Sequence, residues 1–159
     1  MSDLLKIQDA VELVQQAKQL KKRVVLATGV FDLFHQEHRL FLDKAKQAGD
    51  WLIVGVESDR RVREMKGEGR PVQPERERLK QVQEYTSVDC GFLLPELFSN
   101  QKDWENLMAS VSPAIYAVSS HTSHLENKQR ICAMVGCELR VVHHHNPEIS
   151  TTQLLNARR

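Results

Sequence analysis

The chain has 159 residues, which lies within the size of one ordinary domain, so we expect a single compact core. Hydrophobic residues make up 41% of it and charged residues 27%, with only seven Gly and five Pro, and this mixture excludes disordered, collagen-like and fibrous chains. The formal net charge of +1 provides no global field to attract nucleic acid or an acidic membrane, so any anion must be bound locally.

Cysteine spacing and apolar runs indicate the compartment. The three cysteines form no C-x-x-C pair, so the sequence predicts neither a zinc site nor a disulfide framework, and a reducing compartment fits it. No apolar run approaches the ~18 residues that a membrane span needs. The N-terminal segment carries acidic residues and does not resemble a secretory signal. We therefore expect a cytoplasmic protein with neither a membrane nor a nucleic-acid partner.

Helical and strand patterns alternate from the N-terminus onwards. Residues 1–22 form a predicted helical lead-in, because apolar side chains recur at helical intervals over residues 7–17. Residues 24–28 are a short apolar run without polar alternation, as expected for a strand covered on both faces of a parallel sheet. A helix over residues 40–48 then leads to a second strand over residues 51–56.

The same alternation continues through the second half of the chain. After a predicted loop over residues 57–74 come helix 75–85, strand 92–94, a helix around 104–111, strand 114–118, a helix ending at Gly136, strand 138–143 and a helix beginning near Ser150. Five strands alternating with helices predict an α/β fold. Its core would be a Rossmann-like, doubly wound, five-stranded parallel sheet.

The histidines concentrate where a ligand site is expected. Open parallel sheets bind ligands beyond the carboxyl ends of their strands, where helix N-termini offer unpaired N–H groups. All seven histidines lie in the loops after the first, fourth and fifth predicted strands: His35, His38, His121, His124 and His143 to His145. We expect these three loops to converge on one edge of the sheet.

The loop after the first strand has the composition of a phosphate site. Gly29 lets the backbone approach a phosphate closely. His35 and His38, three residues apart at the start of a helix, place two imidazole donors on the side of the free N–H groups. Such a loop suits a polyphosphate. For this pair taken alone, one packed or capping histidine beside a solvated one is the alternative interpretation.

Five ordered blocks of the sequence resemble one family. The segment GVFDLFHQEH, residues 29–38, resembles the GxFDxxHxGH signature of the cytidylyltransferase-like nucleotidyltransferases. In that family's order follow KGEGRPV at 66–72, Arg78 with Leu79, Val88 with Asp89, and ISTT at 149–152. The residues of these blocks resemble most the adenylyltransferase domain of the bifunctional heptose enzymes of lipopolysaccharide synthesis. They resemble glycerol-3-phosphate cytidylyltransferase more distantly. The resemblance implies a single nucleotidyltransferase domain over residues 1–159.

The resemblance also implies a mechanism of direct transfer. A phosphate oxygen of the acceptor attacks the α-phosphorus of a nucleoside triphosphate, pyrophosphate leaves, and no covalent enzyme intermediate forms. Such a reaction depends on positioning and on charge stabilisation by cations and N–H donors. The resemblance assigns His35 and His38 to the triphosphate, Lys66 to the α-phosphate region and Arg78 to a forked grip on phosphate oxygens. A solvated side chain is the alternative for Lys66 or Arg78 alone.

Further positions are implied to bind the nucleotide and its phosphates. They are Thr28, Gly29, Val30, Phe31, Arg70, Ser119, His121, Ile149, Ser150 and Thr151. Ser150 or Thr151 would cap the last helix, whose main-chain N–H groups would face the β- and γ-phosphates. Asp32 is expected to buttress its loop by accepting backbone N–H bonds. No protein residue is assigned to a metal, and Mg²⁺ would be bound through the nucleotide phosphates.

The sequence departs from the family pattern in three places. Glu37 replaces the glycine of the HxGH element, so its carboxylate must point away from the phosphates or meet a metal ion. Residues 118–122 stand where the heptose relatives have a KGGDY-like block, and the lysine and aspartate of that block are gone. The run His143 to His145 is predicted to be a partly solvated loop rather than a transition-metal site, because neighbouring side chains alternate in direction.

The leading hypothesis is a magnesium-dependent nucleotidyltransferase that transfers AMP from ATP to a sugar phosphate such as heptose 1-phosphate. The family implies a homodimer. A cytidylyltransferase for glycerol phosphate, or for another polyol or alcohol phosphate, is the enzymatic alternative. A nucleotide-binding module without turnover is the second alternative, favoured by Glu37 and the altered 118–122 block and opposed by the retained histidines, Lys66 and Arg78.

Overall fold

The computed structural model describes residues 5–96, 98, 100–144, 146 and 148–157. The predicted helical lead-in is therefore described from residue 5 onwards. Of the histidine run after the fifth strand, His143 and His144 are described and His145 lies outside the described residues.

The strands form one five-stranded sheet that is parallel throughout its pairings. They are β1 (Val24–Gly29), β2 (Trp51–Val56), β3 (Cys90–Leu93), β4 (Ile115–Ser119) and β5 (Glu138–His143). Their spatial order is β3-β2-β1-β4-β5, so the direction of winding reverses between β1 and β4. The predicted doubly wound parallel sheet is confirmed, and a ligand crevice is expected at this reversal.

Helices cover both faces of the sheet. They are α1 (Ile7–Gln19), α2 (Gln36–Gln47), α3 (Asp59–Lys66), α4 (Glu75–Glu84), α5 (Gln101–Val111), α6 (Leu125–Val135) and α7 (Thr151–Ala157). Side chains from α1, α5 and α6 pack in one apolar cluster, and those from α2 and α4 pack in another. Among the described residues, no helix combines the length and the apolar character that crossing a bilayer requires.

Alternation along β1 explains why the strand reads as an unbroken apolar run. Val24 and Leu26 belong to the cluster with α1, α5 and α6, whereas Val25 and Ala27 belong to the cluster with α2 and α4. All four side chains are at most 1% exposed. A strand buried on both faces has no solvent side, so no polar residue interrupts the run.

The loop predicted over residues 57–74 is wrong in its first half, where the chain forms helix α3. Ser58 caps it, since its Oγ accepts a hydrogen bond of 3.1 Å from the Arg61 amide. Gly67 ends it in the left-handed half of backbone space, at φ 91°. Val62 is its one buried residue, so the helix lacks the apolar stripe by which helices are recognised in a sequence.

Candidate active site

A cavity of about 770 Å³ opens at the carboxyl ends of the strands, beside the reversal between β1 and β4. Twelve of the fourteen predicted site residues line it: Thr28, Gly29, Val30, Phe31, His35, His38, Lys66, Arg70, Ser119, His121, Ser150 and Thr151. The other two, Arg78 and Ile149, do not. The expected convergence of the histidine loops is confirmed, because His124 and His143 also line the cavity.

The two histidines of the first loop lie face to face at the start of α2. Their rings stack with centroids 3.6 Å apart and planes inclined by 19°. The His35 backbone N–H donates to His38 Nδ1 at 3.1 Å. Because that nitrogen accepts a hydrogen bond, the neutral His38 ring carries its proton on Nε2. His38 thereby offers a fixed N–H donor beside the amino end of a helix, as a polyphosphate site requires.

Asp32 ties three segments of the site together. Its carboxylate accepts hydrogen bonds from the Val72 amide at 2.8 Å and the Gln73 amide at 3.0 Å. Its carbonyl oxygen accepts a bond of 2.7 Å from Thr151 Oγ1. The predicted buttressing role of Asp32 is confirmed, and it positions the histidine loop against both the segment before α4 and the first residue of α7.

Arg70 lines the cavity, and not all of its guanidinium N–H groups are hydrogen-bonded by the described residues. Its Nη1 donates to Thr152 Oγ1 at 3.2 Å, and its Nε lies 3.6 Å from Asp32 Oδ2, beyond hydrogen-bonding distance. Nε and Nη2 are buried without a hydrogen-bond partner among the described residues. Since buried donors are nearly always paired, this guanidinium is shaped to receive a further acceptor, and a phosphate oxygen suits it best.

Lys66 lies at the mouth of the same cavity. It is the last residue of α3, and Gly67 and Gly69 follow it at φ 91° and 84°, conformations that side chains with a Cβ rarely adopt. Partial desolvation lowers the pKa of its ammonium, the neighbouring charge of Arg70 lowers it further, and Asp32 acts in the opposite direction. Two cations at one mouth create the positive field that a phosphate chain needs.

The predicted contact of Arg78 with phosphate is not supported, because Arg78 does not line the cavity. Its side chain is fully buried and donates to Asp59 Oδ1 and to the Val30 carbonyl, each at 2.8 Å, and to the Gln73 carbonyl at 3.0 Å. Because its fork is turned onto the protein's own acceptors, the side chain holds the walls of the site and does not line the cavity. Arg70 does line the cavity, and two of its guanidinium nitrogens have no hydrogen-bond partner among the described residues.

The residues before α7 are placed differently from the family-based expectation. Ile149 does not line the cavity, and its amide donates to the Asn146 carbonyl at 3.0 Å. Thr151 does line the cavity, but its hydroxyl is engaged by the Asp32 carbonyl rather than by the amides of its own helix. The contribution of this segment is therefore positional as well as polar.

Glu37 is held by the end of β5. Its Oε1 accepts hydrogen bonds from the Asn146 amide and from His143 Nε2, the latter at 3.1 Å. Lys44 Nζ donates to the other ring nitrogen of His143 at 3.0 Å. Glu37 and His143 are both buried, so His143 is not part of the solvated loop that the sequence predicted. His144 is exposed. Among the described residues, no group of three or more possible ligands is arranged to hold a metal ion.

We expect Glu37→Ala to lower the free energy of unfolding by about 2 kcal/mol, because it leaves the His143 ring and the Asn146 amide without their buried acceptor. For a chain of this size that loss corresponds to a fall in Tm of about 4–8 °C. Glu37→Gln is the matched control, since its amide oxygen still accepts both bonds. Thermal unfolding followed by circular dichroism checks this. Equal Tm values for the two variants would contradict the assigned contact.

A lysine of helix α6 contacts the loop that follows β4. The sequence lacks the expected lysine in residues 118–122, but Lys128 of α6 reaches the same loop, where its Nζ donates to Thr122 Oγ1 at 2.5 Å. It also lies 5.4 Å from the centre of the Trp104 ring, and both residues line the cavity. Lys128 was not predicted from the sequence because it lies outside the five family blocks, in helix α6.

Glu57 is the second residue that sequence reasoning missed. It follows β2 directly, lines the cavity and is 7% exposed, and its amide donates to the Gly29 carbonyl at 2.9 Å. Its Oε2 is buried without a hydrogen-bond partner among the described residues. Burial raises the pKa of this carboxyl to about 7, against the opposing charges of Arg61, Arg78 and Lys128. The available signal was its position at the carboxyl end of a predicted parallel strand.

Two curated bacterial proteins are similar to this chain over more than half of its length. The Bifunctional protein HldE of Desulfatibacillum aliphaticivorans is 35% identical over 109 residues, which cover 69% of this chain and 21% of that protein. The HldE protein of Campylobacter jejuni subsp. jejuni serotype O:2 is 44% identical over 91 residues, 57% of this chain and 20% of that protein. The chain thus spans about a fifth of the length of the curated relatives it matches.

Solved structures and a family model agree with these similarities. The lipopolysaccharide core biosynthesis protein from Thermoplasma volcanium GSS1 matches with a TM-score of 0.63 and 28% identity, covering 79% of this chain and 98% of that one. Pantoate-beta-alanine ligase from Francisella tularensis matches with a TM-score of 0.68, covering 96% of this chain and 75% of that one, but at 12% identity it shows the fold alone. The model of the cytidylyltransferase-like family matches residues 26–157, so the chain belongs to that family.

Proposed function

We propose that this chain, a nucleotidyltransferase of the cytidylyltransferase-like family, transfers AMP from ATP to a sugar phosphate such as heptose 1-phosphate. The observation that carries the proposal is the meeting of the stacked histidines, the unsatisfied edge of Arg70 and Lys66 around one cavity. These are donors and cations, the groups that transfer between phosphates needs. The HldE relatives and the lipopolysaccharide core biosynthesis protein support a sugar phosphate as acceptor.

In the proposed reaction an acceptor phosphate oxygen forms a bond to the α-phosphorus of ATP. The bond from that phosphorus to the α,β-bridging oxygen breaks, and pyrophosphate leaves with the bonding electrons. His38 Nε2–H and His35 donate to the triphosphate from the start of α2, and Arg70 and Lys66, which line the same cavity, contribute their positive charges. Their charge and N–H groups stabilise the negative charge that develops on the transferring and leaving oxygens.

Mg²⁺ belongs to the proposal as an ion carried by the triphosphate oxygens, where it supplies additional neutralisation of phosphate charge. Two of the cavity carboxylates fit that assignment, because their oxygens are already engaged by the protein. Asp32 already accepts two amide bonds, and Glu37 is bonded to the end of β5. A homodimer, expected from the family resemblance alone, and a cytoplasmic location, expected from the composition of the chain, complete the proposal.

The enzymatic alternative is CMP transfer to glycerol phosphate or another alcohol phosphate. Nucleotide choice would be made where the base lies, and Ser119 and His121 line the cavity at the end of β4 without the lysine and aspartate expected there. Arg70 and Lys66, retained from the family pattern, and Lys128 of α6 argue against a module that binds nucleotide without turnover.

We expect ATP with Mg²⁺ to raise the Tm by about 5–10 °C at a concentration 100-fold above its Kd, since binding to the folded state contributes about 2.7 kcal/mol there. CTP at the same concentration should give a smaller shift. Pyrophosphate release from each nucleotide, measured with heptose 1-phosphate and with glycerol 3-phosphate, then identifies the reaction. A larger shift and faster release with CTP would favour the alternative, and a shift without release from any pairing would favour the non-catalytic module.

A further inference from the structure

The cavity extends beyond the phosphate-binding residues to the sheet face covered by α5 and α6. Glu57 lies on that side, because its predecessor Val56 packs with α2 and α4 and successive strand residues alternate. Lys128 of α6 and Trp104 of α5 line the same region. Tyr116 packs in the cluster with these helices and also lines the cavity.

This region holds a carboxylate oxygen that receives no hydrogen bond within the described ranges. Most of its polar groups are satisfied within the chain: the Tyr116 hydroxyl is 3.0 Å from Thr28 Oγ1, and Lys128 donates to Thr122. Glu57 differs, since its buried Oε2 accepts no hydrogen bond from the described residues. Leaving such an oxygen unsatisfied is costly, so a donor from a bound molecule would stabilise the site.

The surrounding charges select the kind of donor. Glu57 is faced by Arg61 of α3, Arg78 of α4 and Lys128 of α6, with the Tyr116 hydroxyl approaching from β4. An ammonium group brought to Glu57 would meet the like charges of Arg61 and Lys128, while the charge of Arg78 is already paired with Asp59. A neutral hydroxyl would donate to the carboxylate without that repulsion. The geometry therefore favours a hydroxylated ligand over an amine.

We infer that Glu57 is the specificity-determining residue of the acceptor subsite, and that it accepts a hydrogen bond from a hydroxyl group of a polyhydroxylated phosphate. The inference rests on the proposed function, which brings the acceptor phosphate to the α-phosphate of the nucleotide. Glu57 lies beside the first loop, where its amide donates to the Gly29 carbonyl, whereas the base is assigned to the end of β4. The inference restricts the acceptor to sugar or polyol phosphates and excludes phosphorylated amines and simple alkyl phosphates.

The carboxyl group predicts how this binding depends on pH. Burial raises its pKa to about 7, so ionised Glu57 is the minor form at pH 6 and the major form at pH 8. Hydroxyl donation favours the ionised form. Affinity for a polyol phosphate should therefore rise with pH, by up to about tenfold from pH 6 to pH 8 for a group titrating midway. The ligand phosphate itself titrates near pH 6, so the ratio of wild type to a Glu57 variant isolates the contribution of Glu57.

The test measures binding to the full chain by calorimetry, with glucose 1-phosphate and glycerol 3-phosphate as hydroxylated probes. Ethyl phosphate, which has no alcohol hydroxyl, and ethanolamine phosphate, which carries an ammonium group, are the comparison probes. Wild type is compared with Glu57→Gln, which removes the buried charge and is expected to fold, and with Glu57→Asp, which withdraws the carboxylate. Glu84→Gln changes an exposed glutamate at the end of α4 and is the matched control.

At pH 8 we expect wild type and Glu84→Gln to bind a hydroxylated probe about tenfold more tightly than ethyl phosphate, a factor within the range of one hydrogen bond to a charged group. Glu57→Gln should lose most of this preference and its pH dependence, and Glu57→Asp should keep the pH dependence with weaker binding. Equal binding by wild type and Glu57→Gln, a preference for ethanolamine phosphate, or no binding of hydroxylated probes would overturn the inference. Failure of ATP to bind, with polyol binding retained, would contradict only the nucleotidyltransferase proposal.

Discussion

Replacing His38 with alanine is expected to lower kcat for nucleotidyl transfer by about 10²–10³-fold, the range found when one preorganised donor to a developing oxyanion is removed. The imidazole is held for this role by two contacts. His35 N–H donates to its Nδ1, and its ring stacks on that of His35 at 3.6 Å. Together they fix the Nε2–H donor within the cavity, so little rearrangement is needed as charge accumulates on the phosphates.

A second effect of this substitution must be separated from the first. His38 Nδ1 caps the start of α2, and losing a cap costs about 1 kcal/mol of stability. His38→Gln is the matched variant, because glutamine at this helix position still accepts the His35 N–H. We expect it to regain the lost stability but not the lost rate. His144→Ala, at an exposed histidine, should affect neither.

Thermal unfolding and steady-state pyrophosphate release measure the two effects on the same protein samples. If turnover by His38→Ala stays within threefold of wild type, His38 acts as a helix cap and the catalytic assignment is wrong. Recovery of the full rate in His38→Gln would lead to the same conclusion.

The sheet and the first loop were predictable because their signals are local. An apolar run covered on both faces, such as residues 24–28, has few interpretations other than a buried parallel strand. Two histidines three residues apart after that strand lie at the start of the next helix whatever the rest of the fold does. Loop convergence then follows from the rule that parallel strands present their carboxyl ends on one edge.

The roles of individual arginines were not predictable from local signals. Arg76 and Arg78 lie two residues apart in the same polar helix, yet Arg76 is exposed and Arg78 is fully buried. Only the tertiary fold places Asp59 and the Val30 carbonyl around the second of them. Arg70, preceding a proline, indicates no more than a turn in the sequence, whereas in the structure two of its nitrogens are buried and have no hydrogen-bond partner in the part of the chain that is described.

Glu37 shows how a departure from a family pattern is absorbed. In isolation a carboxylate between His35 and His38 conflicts with phosphate binding. In the fold a partner 106 residues away, His143, donates to it, with Lys44 behind that ring. Such a compensation joins α2 to the end of β5, two elements that are distant in sequence, so no spacing argument could have found it.

Replacing Arg78 with alanine is expected to lower the free energy of unfolding by about 3 kcal/mol, as when one partner of a buried ion pair is removed. Its guanidinium joins Asp59 at the start of α3, Val30 after β1 and Gln73 before α4. Asp59 is 27% exposed at its side chain, so solvent recovers part of its charge and the expected cost lies at the lower end of the range for such pairs. The corresponding fall in Tm is about 6–12 °C.

Two further variants distinguish this structural role from a phosphate contact. Arg76→Ala removes an exposed arginine of the same helix and should change stability by less than about 0.5 kcal/mol. Arg78→Lys keeps the charge but cannot reproduce three directed bonds, so we expect it to remain clearly less stable than wild type. At a temperature where all variants are folded, ATP affinity should be affected far less by Arg78→Lys than by Arg70→Lys. If Arg78→Lys weakened ATP binding more than Arg70→Lys did, and Arg78→Ala left the Tm unchanged, Arg78 would be the phosphate-binding arginine and Arg70 would not.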